Sequence, residues 1–130
     1  MKLSDLQRFF EGKTDARVLH SQILQEVQDY ERLVNVKGSS TPVTVINDSE
    51  ILVSPDAVSR LCKAFLESEL TTADLMFIAD GLLLANYSHD VAFMGEELVD
   101  LVGELTDPEI NGPITRKTVE DVLSRLNAPN

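Results

Sequence analysis

Leu75 to Ala85 is the longest apolar run in the chain, eleven residues broken only by Asp80 and Gly81. As a helix it spans ~16 Å, about half of a bilayer's hydrocarbon core. A helix that is apolar on every side is stable in water only when other elements surround it. The run therefore reads as a buried core helix and not as a membrane span. Thr71, with Asp74 three residues on, supplies its start. At 130 residues the chain is long enough to wrap one such helix without metal or disulfide staples, so a single domain over 1–130 is expected.

The covering elements are mostly amphipathic helices. Ser4 and Gln7 have the spacing of a capping box ahead of a short helix ending near Gly12. Thr14 is placed to cap a second helix, in which Val18, Ile23, Val27, Tyr30, Leu33 and Val34 recur at helical spacing. Ser54-Pro55-Asp56 combines a cap, a proline at the first helical position and an acid in the first turn. The helix behind it carries Val58, Leu61, Cys62, Phe65 and Leu66 on one face. A further helix is expected from about Val91 to Leu105, with Phe93, Leu98, Leu101, Val102 and Leu105 inward. Thr115 caps a last one, with Val119, Val122, Leu123 and Leu126 inward. Pro42 to Ile46 is rich in β-branched residues, Asn47-Asp48-Ser49 signals a turn, and Glu50 to Val53 is apolar again. Together these predict an α+β, predominantly helical fold. Its six helices cover about 4–11, 15–36, 55–68, 72–85, 91–105 and 116–127, with one two-stranded β-hairpin over about 42–53 packed on the bundle.

Charge is the feature that bears on function. The chain holds 22 acidic and 11 basic side chains, a formal net charge of −11. Residues 1–64 contribute −1 and residues 65–130 contribute −10, with no Lys or Arg between Lys63 and Arg116. Such a half cannot neutralise a phosphate backbone, which argues against nucleic acid, and anionic membranes are disfavoured for the same reason. Within it, Glu96, Asp100 and Glu104 stand at i, i+4 and i+8 on one helical stripe. Like charges at that spacing destabilise a helix by roughly 0.2–0.5 kcal/mol per pair. The ordinary reading is a solvated face. The sharper one is a surface held negative for a cationic partner, because a merely soluble surface mixes its signs.

Other candidates carry less. Asp80 lies among Met76, Phe77, Leu83 and Leu84, so it is either exposed on a narrow edge or paired, with Arg60 or Arg116 as partners. Asp107 to Thr118 resembles a calcium loop in its early positions, but Thr118 stands where the bidentate Glu belongs, and a rigid turn is the better account. His20, His89 and Cys62 fall short of a zinc set, and Cys62 sits on an apolar helix face. A Cys62–His89 nucleophile pair is left open by spacing alone. No phosphate-binding glycine loop or hydrolase motif occurs. No catalysis, cofactor or metal is therefore expected. With one cysteine and no apolar leader-like stretch at the N-terminus, a cytoplasmic location is expected.

The helical-hairpin pattern over roughly 54–126, with the base-free acidic stretch bearing Asp74, Asp80, Glu96, Glu97 and Asp100, resembles bacterial toxin-immunity proteins. The likeness is to the helical immunity proteins of colicin D type and of contact-dependent inhibition systems. The Val43–Val53 hairpin departs from their all-helical form. The resemblance implies a basic toxin, plausibly a nuclease, as partner, with carboxylates occluding its cationic groove. Glu96, Asp100 and Glu104 would meet its Lys and Arg, Glu97, Asp90 and Glu109 would flank them, and Tyr87 would anchor the contact. The alternative is a structural or adaptor domain, self-associating or binding through an apolar face, whose acidity serves only solubility.

Overall fold

The computed structural model describes residues 1–34, 43–88, 90–106 and 114–127. Among them are six helices: α1 (Leu3–Phe10), α2 (Ala16–Val34), α3 (Pro55–Leu66), α4 (Thr72–Tyr87), α5 (Glu96–Gly103) and α6 (Arg116–Leu126). Two short strands, β1 (Ile51–Val53) and β2 (Val91–Phe93), complete the α+β, predominantly helical architecture. No described helix is long and apolar enough to cross a membrane.

The apolar run forms the centre of the protein. On α4, Leu75, Phe77, Ile78, Ala79 and Leu82 are all buried. Its start is the expected capping box, with Thr71 Oγ1 accepting from the Asp74 amide and the Asp74 carboxylate accepting from the Thr71 amide. Helix α2 packs along α4, and α3 packs chiefly against α6. Gly81 permits close approach: a Cβ there would lie 2.6 Å from the Met1 side chain.

Two expected caps do different work. Helix α1 has Lys2 at its N-cap, without a side-chain bond. Ser4 Oγ instead donates to Asp48 at 2.7 Å, and Ser49 Oγ donates to Gln7, so the pair ties α1 to the 48–49 turn. At α2 it is Asp15, not Thr14, that accepts from the Val18 amide, at 3.0 Å. Thr14 Oγ1 is buried without a partner. The inward face of α2 is Ala16, Leu19, Ile23, Val27 and Tyr30, and Val18 faces out. The Leu33 and Val34 side chains lie outside the described residues.

The sheet is two-stranded, as expected, but its second strand comes from elsewhere in the chain. β1 pairs with β2 in parallel, in the register Ile51↔Val91, Leu52↔Ala92, Val53↔Phe93. The antiparallel hairpin over 42–53 is therefore corrected. Ile46 forms an isolated parallel bridge with Lys2, and Pro42 lies outside the described residues. The expected helix over 91–105 is corrected in the same way. Val91 is buried and Ala92 exposed, an alternation of period two, and Gly95 has φ of +108°. That backbone conformation breaks a right-handed helix and is essentially confined to glycine. The segment thus runs strand, turn, helix, and α5 begins only at Glu96.

Candidate functional site

Parallel pairing sends both strands out of the same end of the sheet, each into a helix. β1 passes through Ser54 into α3, where Ser54 Oγ accepts from the Ala57 amide at 3.1 Å. β2 passes through Met94 and Gly95 into α5. Two helix N-termini at the carboxyl ends of parallel strands form a place where anions often bind. Here the chain fills it with its own negative charge, with Asp56 in the first turn of α3 and Glu96 and Glu97 in the first turn of α5. Asp100 stands one turn above Glu96. All four are exposed.

None of these four carboxylates has an ion-pair partner among the described residues, whereas several others do. Asp5 pairs with Arg8, Asp29 with Arg32, Glu120 with Arg116 and Asp121 with Lys117. Glu104 sits at the C-cap of α5 and meets Arg125 of α6 at 2.5 Å. The stripe of Glu96, Asp100 and Glu104 is therefore divided: the first two are free, and the third is neutralised from the neighbouring helix. The expected energetic cost shrinks accordingly. With α5 starting at Glu96, the helix dipole returns about 0.3–1 kcal/mol per first-turn acid, which offsets the repulsion along the stripe.

The remaining expected residues are scattered. Tyr87 ends α4 and is 85% exposed, and Asp90, whose carboxylate accepts from Ser88 Oγ, precedes β2. Both lie at the entry of β2 while Glu96 and Glu97 lie at its exit, so roughly 10 Å of strand separates the two sets. Tyr87 instead borders a groove of about 580 Å³ with Val43, Val45 and Leu84. Glu109, His89 and most of the Asp107–Thr118 turn lie outside the described residues. Thr118 is committed to a capping box with Thr115. A depression of about 570 Å³ between α5 and α6 is lined by Glu104, Lys117, Asp121 and Arg125, whose charges are paired with one another.

Two acids of the base-free stretch do not belong to the surface at all. Asp74 is fully buried, and its Oδ2 accepts from the Thr71 amide at 2.9 Å and meets His20 Nδ1 at 2.7 Å. Asp80 accepts from Tyr30 Oη at 2.6 Å, so its partner is a tyrosine of α2 and not Arg60 or Arg116. A His–Asp pair invites a catalytic reading. Among the described residues, however, no hydroxyl or thiol is hydrogen-bonded to His20, and Thr71 Oγ1 is occupied as a cap. The pair fastens α2 to α4. Cys62 is fully buried, and burial pushes its thiol up to about 12, which removes the thiolate that reactivity needs. Among the described residues no cluster of three or more His, Cys, Asp or Glu is arranged to hold a metal.

Sequence reasoning missed Asp56, His20 and the exposed Leu52 and Met94. Asp56 is legible as part of a helix start, but only the parallel pairing shows that this start and that of α5 leave the same end of the sheet. In comparisons with known proteins, the chain matches no family model, no curated protein and no solved structure.

Proposed function

We propose that this protein is a non-catalytic acidic binding protein that docks on a cationic protein, as an immunity protein occluding the basic groove of a toxin. The observation that carries the reading is the set of four exposed carboxylates, Asp56, Glu96, Glu97 and Asp100, on the helices at one end of the sheet, without an ion-pair partner among the described residues. Elsewhere several acids are paired with neighbouring cations, while two adjacent helix starts here carry acids without such a pair among the described residues. Opposite charge steers encounter and raises association rates, most strongly at low salt. First-turn positions on two helices fix the backbone from which Asp56, Glu96 and Glu97 project. A cytoplasmic setting belongs to the same proposal.

A test begins with affinity capture from a lysate of the source organism, followed by kinetics with the purified basic protein so obtained. Glu96→Lys, Glu97→Lys and Asp100→Lys together should slow association by at least about tenfold at low salt and remove most of its salt dependence. An unchanged association rate refutes the surface. The groove beside Tyr87 and Leu84 favours a second reading, an adaptor domain that binds through an apolar contact. Binding abolished by Tyr87→Ser and indifferent to the three reversals would select it.

A further inference from the structure

The outer face of the sheet is bare and apolar. Leu52 and Ala92 are register partners and so share one face. Met94 lies two residues beyond Ala92 on the same side, held in line by its amide bond to the Val53 carbonyl at 2.9 Å. Leu52 is 61% exposed, Met94 54%, and Ala92 is exposed between them. The opposite face, with Ile51, Val53 and Val91, is buried in the core. Parallel sheets occur almost only with both faces covered. An apolar strip on such a sheet is therefore a surface that lacks its cover.

The strip runs directly into the acidic site: Met94 is followed by Gly95, Glu96 and Glu97, and β1 by Ser54, Pro55 and Asp56. We propose that a cationic protein covers this strip, with a segment of mixed basic and apolar side chains whose apolar groups lie on Leu52, Ala92 and Met94 while its Lys or Arg meet Asp56, Glu96 and Glu97. This rests on the docking role proposed above and adds where lasting affinity comes from, since exposed charge pairs alone contribute little. A second copy of the chain is the poorer occupant. A two-fold contact through the strip sets the carboxylates of one copy against the same carboxylates or, with the strands reversed, against Glu50 and Asp90 at the strip's other end, and like charges across an interface oppose association.

The probes are two short peptides, Lys-Leu-Lys-Leu-Lys and penta-lysine, titrated into the isotope-labelled protein and followed by amide shifts. At low salt both should shift Glu96, Glu97 and Asp100. Only the mixed peptide should also shift Leu52, Ala92 and Met94, and only its binding should persist at about 0.5 M salt, where exposed charges are screened. Leu52→Ser with Met94→Ser should weaken the mixed peptide about tenfold and leave penta-lysine unchanged. Both positions are exposed, so the fold is retained, which circular dichroism verifies. Equal binding of the mixed peptide to this variant, or shifts confined to Leu84 and Tyr87, overturns the strip while leaving the acidic surface standing. Binding of both peptides that is indifferent to Glu96→Gln, Glu97→Gln and Asp100→Asn, or no shift with either peptide, overturns the acidic surface as well. A wild-type dimer that Leu52→Ser dissociates assigns the strip to a second copy and overturns the proposal.

Discussion

Replacing Asp74 by alanine removes the one fully buried carboxylate among the described residues. Its Oδ2 accepts two bonds, from the Thr71 amide at 2.9 Å and from His20 Nδ1 at 2.7 Å. Hydrogen bonds to a charged group contribute about 1.5–3 kcal/mol each. Against them stands the carboxylate's own desolvation, which truncation relieves. His20 is a third exposed and regains water, and Thr71 Oγ1 still caps the Asp74 amide position. The net loss is then about 3 kcal/mol. At ~2.1 cal/mol/K per residue over 130 residues, that lowers Tm by about 11 °C. Asp74→Asn keeps an acceptor oxygen for the Thr71 amide and should lose only about 1–2 kcal/mol. Urea unfolding followed by circular dichroism measures both, and a double-mutant cycle with His20→Ala isolates the cross-helix bond. The cycle should return a coupling of about 1–2 kcal/mol. Loss of less than about 0.5 kcal/mol in Asp74→Ala, or a coupling near zero, refutes the claim that this pair clamps α2 to α4.

Three further outcomes are expected. Gly95→Ala has open space for its methyl but must hold φ at +108°, so it should cost about 1–3 kcal/mol in chemical unfolding; a neutral result would mean that the β2–α5 junction has another geometry. The Ser4 hydroxyl, followed by the Ser4 amide, holds the Asp48 carboxyl below its ordinary range. Its stabilising effect is present above the unfolded-state value and is lost as pH falls through the folded one, so a carboxyl-detected NMR titration should find the Asp48 midpoint rising in Ser4→Ala. Cys62, buried and with its thiol raised to about 12, should resist alkylation in the native protein and react only as fast as the protein opens; rapid labelling under native conditions would contradict its place in the core.

Local chemistry made much of this fold legible. Ser54-Pro55-Asp56, Thr71 with Asp74, and Thr115 mark helix starts whose bonds form within three residues, and all three caps are made. The apolar run of α4 pointed to burial, which Leu75, Phe77, Ile78, Ala79 and Leu82 meet while Leu84 stays half exposed. Legibility ended where two distant segments compete for one partner. Ile51–Val53 is a strand under any reading, but whether it pairs with the neighbouring 43–46 or the distant 91–93 is decided by tertiary packing, which periodicity does not encode. The signal that pointed to 91–93 was Gly95, since a glycine inside an expected helix marks a break. Of the candidate surface, Glu96 and Asp100 are legible in the sequence as part of an uncompensated stripe, with Glu97 beside it. The withdrawal of Glu104 was not, because Arg125 reaches it from another helix.

The parallel pairing also changes what the charge argues. On a helix running from Val91, three stacked carboxylates are an unrelieved cost, which lends weight to a functional reading beside the ordinary one of a solvated face. On a helix beginning at Glu96, two of the four acids at positions 96 to 104 occupy the favourable first turn and another is paired, so the helix tolerates its charge without needing a purpose for it. The energetic argument for a site therefore weakens, and a geometric one replaces it. Asp56 joins Glu96 and Glu97 from the other side of a two-stranded parallel sheet, at the end where backbone amides would otherwise attract anions. Acids in those first turns make this end of the sheet negative and oppose phosphate, which favours a cationic ligand there. The bare Leu52–Ala92–Met94 strip beside them makes that ligand amphipathic as well, which is a property of a folded protein's surface and not of a simple counter-ion.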